Sequence, residues 1–245
     1  MNTALLKKDY PHLAGVKKII AVSSAKGGVG KSTIAFQLAR RLAGAGLKIG
    51  LLDADIYGPS LPILFQLPGI KAKSVERVLQ PVEKDQLKLM SFGFLLGEQS
   101  AIFRGPMVGR YIKHMLTQTN WGDLDILLID FPPGTGDIPL TITQTVHLDG
   151  AFIVTTPHQL ALADVARGVK MFRRMQVPIL GIIENMAYVE ANGEKNYIFG
   201  QLDQKRIETD LNAKFVAHIP VDAGFGTFPA QEAFERLADL LRQTA

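Results

Sequence analysis

The sequence predicts a doubly wound α/β fold, a mostly parallel sheet flanked by helices, and three observations predict it. From Lys17 onward, short β-branched runs alternate with longer helical patterns, the order that produces right-handed βαβ crossovers. Several runs are apolar at every position, as in strands buried on both faces. A Gly-rich turn joins the first run to the first helical pattern.

The elements follow in chain order. Ile19 to Val22 reads as the first strand. In the helix after the turn, Ile34, Leu38 and Leu42 repeat at i+4 beside Ala35, Ala39 and Ala43, forming one apolar stripe that Gly44 and Gly46 end. Ile49 to Leu52, Leu87 to Met90, Ile126 to Ile129, Phe152 to Val154, Ile179 to Ile183 and Val216 to Ile219 are further strands. Met107 to Gln118, Leu160 to Met175, Leu202 to Leu211 and Ala230 to Gln243 carry helical spacing. In the last helix Phe234, Leu237 and Leu241 share a face opposite Glu235, Asp239 and Arg242; mixed charges favour docking on the sheet over a membrane surface.

A chain of 245 residues suits one large domain, read as 17–245 behind a short extension, 1–16. The net charge of +4 is spread over scattered pairs such as Lys7/Lys8, Lys17/Lys18 and Arg40/Arg41. No dense basic stripe marks a nucleic-acid footprint. The absence of cysteine excludes disulfides and thiolate zinc or iron–sulfur sites within this chain. The start shows no secretory pattern and no apolar run has the length of a membrane span, so a cytoplasmic location is expected.

Ala25-Lys26-Gly27-Gly28-Val29-Gly30-Lys31-Ser32-Thr33 lies between first strand and first helix, the context in which a Gly-rich Lys-Ser run builds a phosphate cradle. Glycines let successive N–H groups face an anion, and the helix N-terminus adds positive potential. Gly27, Gly28, Val29, Gly30, Lys31, Ser32 and Thr33 are therefore expected to hold ATP. Lys31 would neutralise β and γ oxygens, and the Ser32 hydroxyl would coordinate Mg²⁺. The strict pattern fails at its first glycine, where Ala25 stands, and a second lysine, Lys26, follows.

Asp53 and Asp55 fall at the end of the second strand, where α/β sheets bind ligands, though an Asp there can also simply cap the following turn. Leu124 to Asp130 is an apolar strand ending in a carboxylate, the arrangement that holds a magnesium-bound water. Phe131-Pro132-Pro133-Gly134-Thr135-Gly136-Asp137 combines rigid prolines with permissive glycines and suits a loop that moves when phosphate leaves.

The Lys26 to Thr33 run resembles the deviant Walker A motif of the MinD, ParA and nitrogenase-iron-protein group of P-loop ATPases. In that resemblance Lys26 reaches the partner's nucleotide across a twofold homodimer, comparable to an arginine finger, although it could serve its own phosphates. It also implies that Asp55 positions the attacking water, that Asp53 supports the magnesium shell with Ser32 and Asp130, and that Asn185, Pro220 and Asp222 frame the adenine.

Gly105-Pro106-Met107, the Asp130 to Asp137 segment, Thr155-Thr156-Pro157 and Gly181 to Met186 together resemble the Mrp/ApbC branch, whose members are iron–sulfur cluster carrier ATPases; the likeness covers about nine tenths of the chain. That branch places a C-P-x-C motif shortly after its E-N-M segment. Here Ala187 to Gly200 has no thiolate, and Asn192-Gly193 signals a hairpin turn. His12, His114, His147, His158 and His218 show no ligand spacing.

The resulting expectation is a slow, Mg-dependent ATP-hydrolysing homodimer, joined through its nucleotide face, serving iron–sulfur assembly or apo-acceptor proteins without cluster ligands of its own. The rival expectation is an ATP-switched partner-binding module of the ParA positioning kind.

Overall fold

The computed structural model describes residues 10–96, 105–158, 160–222 and 228–243. The apolar runs become strands and the periodic segments helices, in the order β1 (Val16–Ser23), α1 (Lys31–Gly44), β2 (Ile49–Asp53), α2 (Leu61–Leu64), β3 (Lys73–Val75), β4 (Val78–Gln80), β5 (Val82–Lys84), β6 (Leu87–Ser91), α3 (Phe92–Leu96) and α4 (Gly105–Thr117). Then come β7 (Leu124–Asp130), α5 (Asp137–Thr145), β8 (Gly150–Thr155), α6 (Ala161–Arg174), β9 (Ile179–Glu184), β10 (Val189–Ala191), β11 (Glu194–Asn196), α7 (Gln204–Leu211), β12 (Phe215–His218) and α8 (Phe228–Gln243).

One sheet runs β12-β9-β8-β1-β7-β2-β6-β5, and only the β5–β6 pairing is antiparallel. Its all-apolar strands send alternate residues to opposite faces. Ile19, Ala21, Leu127 and Ile129 join the core under α4, α5, α6 and α7, whereas Ile20, Val22, Ile126 and Leu128 join the core under α1 and α8.

The α1 stripe is buried as its spacing predicts, from Ile34 and Ala35 to Leu42 and Ala43. After Gly44, the Gly46 amide donates to the Ala43 carbonyl (2.9 Å) with φ +88°, a conformation glycine adopts without a Cβ penalty. Phe234, Leu237 and Leu241 of α8 are buried in the same core as α1, and Arg41 pairs with Glu235 between the two helices at 2.6 Å. Among the described residues no helix is long and apolar enough to cross a membrane.

Helix α5 begins at Asp137, where the sequence suggests only the end of a loop. Its sequence, Asp-Ile-Pro-Leu-Thr-Ile-Thr-Gln-Thr, is rich in β-branched residues that weaken helix propensity. The hydroxyls of Thr141, Thr143 and Thr145 donate instead to the carbonyls of Asp137, Pro139 and Thr141, so they do not compete with the helix for its amides. Packing against α4 supplies what propensity lacks.

Candidate nucleotide site

Strand register builds the site's floor. Parallel pairing sets Asp53 of β2 beside Asp130 of β7 on one side and Ser91 of β6 on the other, while Asp130 faces Val22 of β1. All lie at the C-terminal edge of the sheet, where the loop from β1 to α1 rises. Gly28 (φ +79°) and Gly30 (φ +84°) take the left-handed conformation that this loop demands. No side chain caps α1 and no acidic residue occupies its first turn, so its leading amides are left for an anion.

Lys31 is buried, and its ammonium pairs with the buried carboxylate of Asp130 and lies 3.3 Å from the Ser32 hydroxyl. Burial pushes the Asp130 carboxyl up, and the Lys31 charge opposes that shift. Only Oδ1 of Asp130 is engaged; Oδ2 is buried with no hydrogen-bond partner. An orphaned carboxylate oxygen and a nearby hydroxyl fit Mg²⁺, which takes one or two protein oxygens and completes its shell with phosphate and water. No group of three or more His, Cys, Asp or Glu among the described residues could cage a metal without such help.

The contacts of Asp53 are those of a turn cap, the alternative its place at a strand end allows. Oδ1 accepts from the Asp55 amide (3.0 Å), and Oδ2 accepts from the amides of Ser60 (2.8 Å) and Leu61 (3.2 Å) and from the Ser91 hydroxyl (3.1 Å). With both oxygens taken by donors, Asp53 caps the segment from β2 to α2. Burial and then the negative charge of Asp130 push its carboxyl up to about 7, against the lowering effect of the Leu61 and Ser60 amides. Asp55 is half-buried above this cap and accepts from the Gly58 amide at 3.2 Å.

Ser91 is not singled out by the sequence, although it ends a largely apolar strand; in the sheet that strand pairs beside β2, which ends in Asp53. Nor is Ser24: its hydroxyl donates to the Lys26 carbonyl (2.9 Å), and its own carbonyl accepts from the Gly134 amide (2.9 Å). That second bond ties the loop after β7 to the start of the phosphate loop, and the Phe131 amide continues the β1–β7 pairing by donating to the Val22 carbonyl at 2.9 Å. Lys26 itself is exposed.

Asn185 and Pro220 are buried and Asp222 half-buried at the same sheet edge, after β9 and β12. The Asn185 side chain turns toward the loop, not simply outward: its amide donates to the Val29 carbonyl at 2.9 Å.

Beyond Asn185 the chain forms the hairpin β10–β11, turning at Asn192 (φ +54°) and Gly193 (φ +79°) as the dipeptide predicts. Every residue from 190 to 200 is exposed. Lys195 lies over the Tyr188 ring at 4.5 Å, and no side chain here offers a soft ligand. The residues present do not fit an iron–sulfur cluster.

A strand-turn-helix phosphate loop closed by a Lys–Asp pair agrees with the comparison to known proteins, in which the ParA model, described as NUBPL iron-transfer P-loop NTPase, matches residues 15–233. The chain belongs to this family. It is 49% identical over 214 residues to an iron–sulfur cluster carrier protein of Aquifex aeolicus, covering 85% of this chain and 58% of that one. Identity to the iron–sulfur cluster transfer protein NUBPL of Dictyostelium discoideum is 46%, covering 85% and 66%. The chain thus spans roughly three fifths to two thirds of these relatives' length. A nucleotide-binding protein of Archaeoglobus fulgidus solved with ADP superposes with a TM-score of 0.75 at 38% identity, covering 94% of this chain and 89% of that one. The cell-division ATPase MinD of Pyrococcus furiosus shares the fold, with a TM-score of 0.69 at 20% identity and coverage of 94% and 100%.

Proposed function

We propose that this chain is a Mg-dependent ATPase of iron–sulfur cluster transfer that lacks cluster ligands of its own. The observation that carries the ATPase reading is the buried Lys31–Asp130 pair under an uncapped helix start, with one Asp130 oxygen unpartnered. The β and γ phosphates of ATP, seated on the amides of Gly27 to Thr33, draw the Lys31 ammonium from Asp130 and leave that carboxylate to act with Ser32. These two residues would hold Mg²⁺. The ion, when bound, supplies charge neutralisation on the phosphate oxygens.

Asp55, held on the turn that Asp53 caps, orients the attacking water. Lys26, exposed at the rim of the loop, enters the nucleotide of a second copy across a homodimer joined at this face, so that hydrolysis loosens both the dimer and the loop that Gly134 ties to Ser24. Pro220 and Asp222 border the base. The transfer role comes from the relatives' names, and the acceptor proteins would be cysteine-bearing partners. Calorimetric titration with ATP and Mg²⁺, paired with steady-state phosphate release, tests this. Hydrolysis that survived both Lys31→Ala and Lys26→Ala would sink the mechanism.

The cysteine-free hairpin favours a second reading, a nucleotide-switched module that gates a protein or DNA partner. DNA binding that requires ATP and weakens steeply with salt would select it; colour after anaerobic reconstitution with iron and sulfide would reject it and restore direct cluster carriage.

A further inference from the structure

Asn185 stands 156 residues from the phosphate loop in sequence, yet its side chain is buried against that loop. Its backbone amide donates to the Thr155 carbonyl at 2.8 Å, which fixes it to the end of β8, and the next residue, Met186, turns the chain away with φ +55°. From that fixed base the side-chain amide reaches the Val29 carbonyl. Since a carbonyl can only accept, the contacting atom must be the NH₂ group.

The loop is shaped to admit this contact. A Cβ on Gly30 would lie 2.3 Å from Asn185 Nδ2, closer than real Cβ atoms come to anything, so glycine there answers to Asn185 as well as to its own φ of +84°. The consequence for the ligand lies in peptide geometry. In a planar trans unit the carbonyl and the following N–H point in opposite directions. Holding the Val29 carbonyl toward Asn185 therefore aims the Gly30 N–H away from it.

We propose that Asn185 is a positioning residue for the phosphate loop: it locks the Val29–Gly30 peptide so that the Gly30 amide faces the phosphates, and its loss weakens phosphate binding whether or not a base is attached. This goes beyond a place beside adenine and rests on the nucleotide-site reading. Without the clamp, the peptide can rotate and present a carbonyl to an anion, the reverse of what a phosphate site needs.

The experiment compares ATP with inorganic tripolyphosphate, which has the phosphates and no base, each titrated with Mg²⁺ into the full chain and its variants. Asn185→Asp keeps the shape and replaces the donor by a carboxylate facing a carbonyl. Both ligands are expected to weaken by the same factor, about tenfold or more, with circular dichroism and melting showing a folded protein. If ATP weakens and tripolyphosphate does not, Asn185 reads the base and the proposal is overturned. It is equally overturned if neither ligand changes. Should the Asp variant fail to fold, Asn185→Ser removes the amide without burying a charge and is read the same way. Wild-type protein that bound neither ligand would instead overturn the nucleotide-site reading itself.

Discussion

Two regions meet at the C-terminal edge of the sheet, and they are built on opposite principles. Beneath the phosphate loop the polar groups are buried and engaged: Lys31 with Asp130, Asp53 with three amides and Ser91, and the Val29 carbonyl with Asn185. The hairpin from Val189 to Asn196 is exposed from residue 190 onward, is held by its own strand pairing, and carries no cysteine. Buried polar networks are unforgiving of change, whereas an exposed hairpin tolerates it. The hairpin can therefore vary in sequence while the nucleotide site stays whole.

The sharpest way to probe that contrast is Lys26→Ala. If the exposed lysine is a charge supplied across a dimer, hydrolysis falls about a thousandfold while ATP affinity measured by calorimetry changes little; a matching loss of affinity would mean that Lys26 serves its own nucleotide. Next comes Lys31→Ala, which strands Asp130 in the core. Chemical denaturation of the nucleotide-free protein should show a loss of about 3–5 kcal/mol, the penalty for breaking a buried pair from one side.

A third measurement follows the pH dependence of stability. Folded Asp53 keeps its proton up to about 7, against an ordinary 3.8. The folded state binds more protons than the unfolded state between those values, so this group's contribution to stability falls as pH rises from about 4 to about 7. The difference between wild type and Asp53→Asn should decline across that window, and a flat difference would show that Asp53 stays ionised. The smallest effect is expected in the hairpin. Gly193→Ala, at φ +79°, should cost about 1 kcal/mol in local order and leave phosphate release unchanged. A large loss of hydrolysis there would collapse the distinction between the two regions.

What could be read from the sequence divides along the same line. The strand-turn-helix context made Lys31 and Ser32 legible, and the carboxylate that ends an apolar strand made Asp130 a candidate, though only the β1–β7 register brings it to Lys31. The capping role of Asp53 was open in the sequence, but its bond from Ser91, 38 residues onward, was not legible, since only parallel register brings the two together. Asn185 could be placed at the correct edge, but its contact with Val29 depends on how β9 packs against the loop. Helix α5 hid because threonine hydroxyls satisfied by their own helix leave no mark in propensity. Strands β3, β4 and β5, three residues each, are too short for an alternating pattern to register.

Short edges have a consequence for how copies of this chain can associate. The sheet ends at β5, three residues running against its neighbour with Lys84 tied to the Phe65 carbonyl at 2.9 Å, and at β12, four residues flanked by α8. Such truncated margins, one of them charged, offer few free backbone groups as a template, which suppresses strand-by-strand fibril growth. Pairs of molecules are thereby steered toward side-chain surfaces and away from continuous intermolecular sheets, and concentrated solutions should resist gelation as long as the fold is intact.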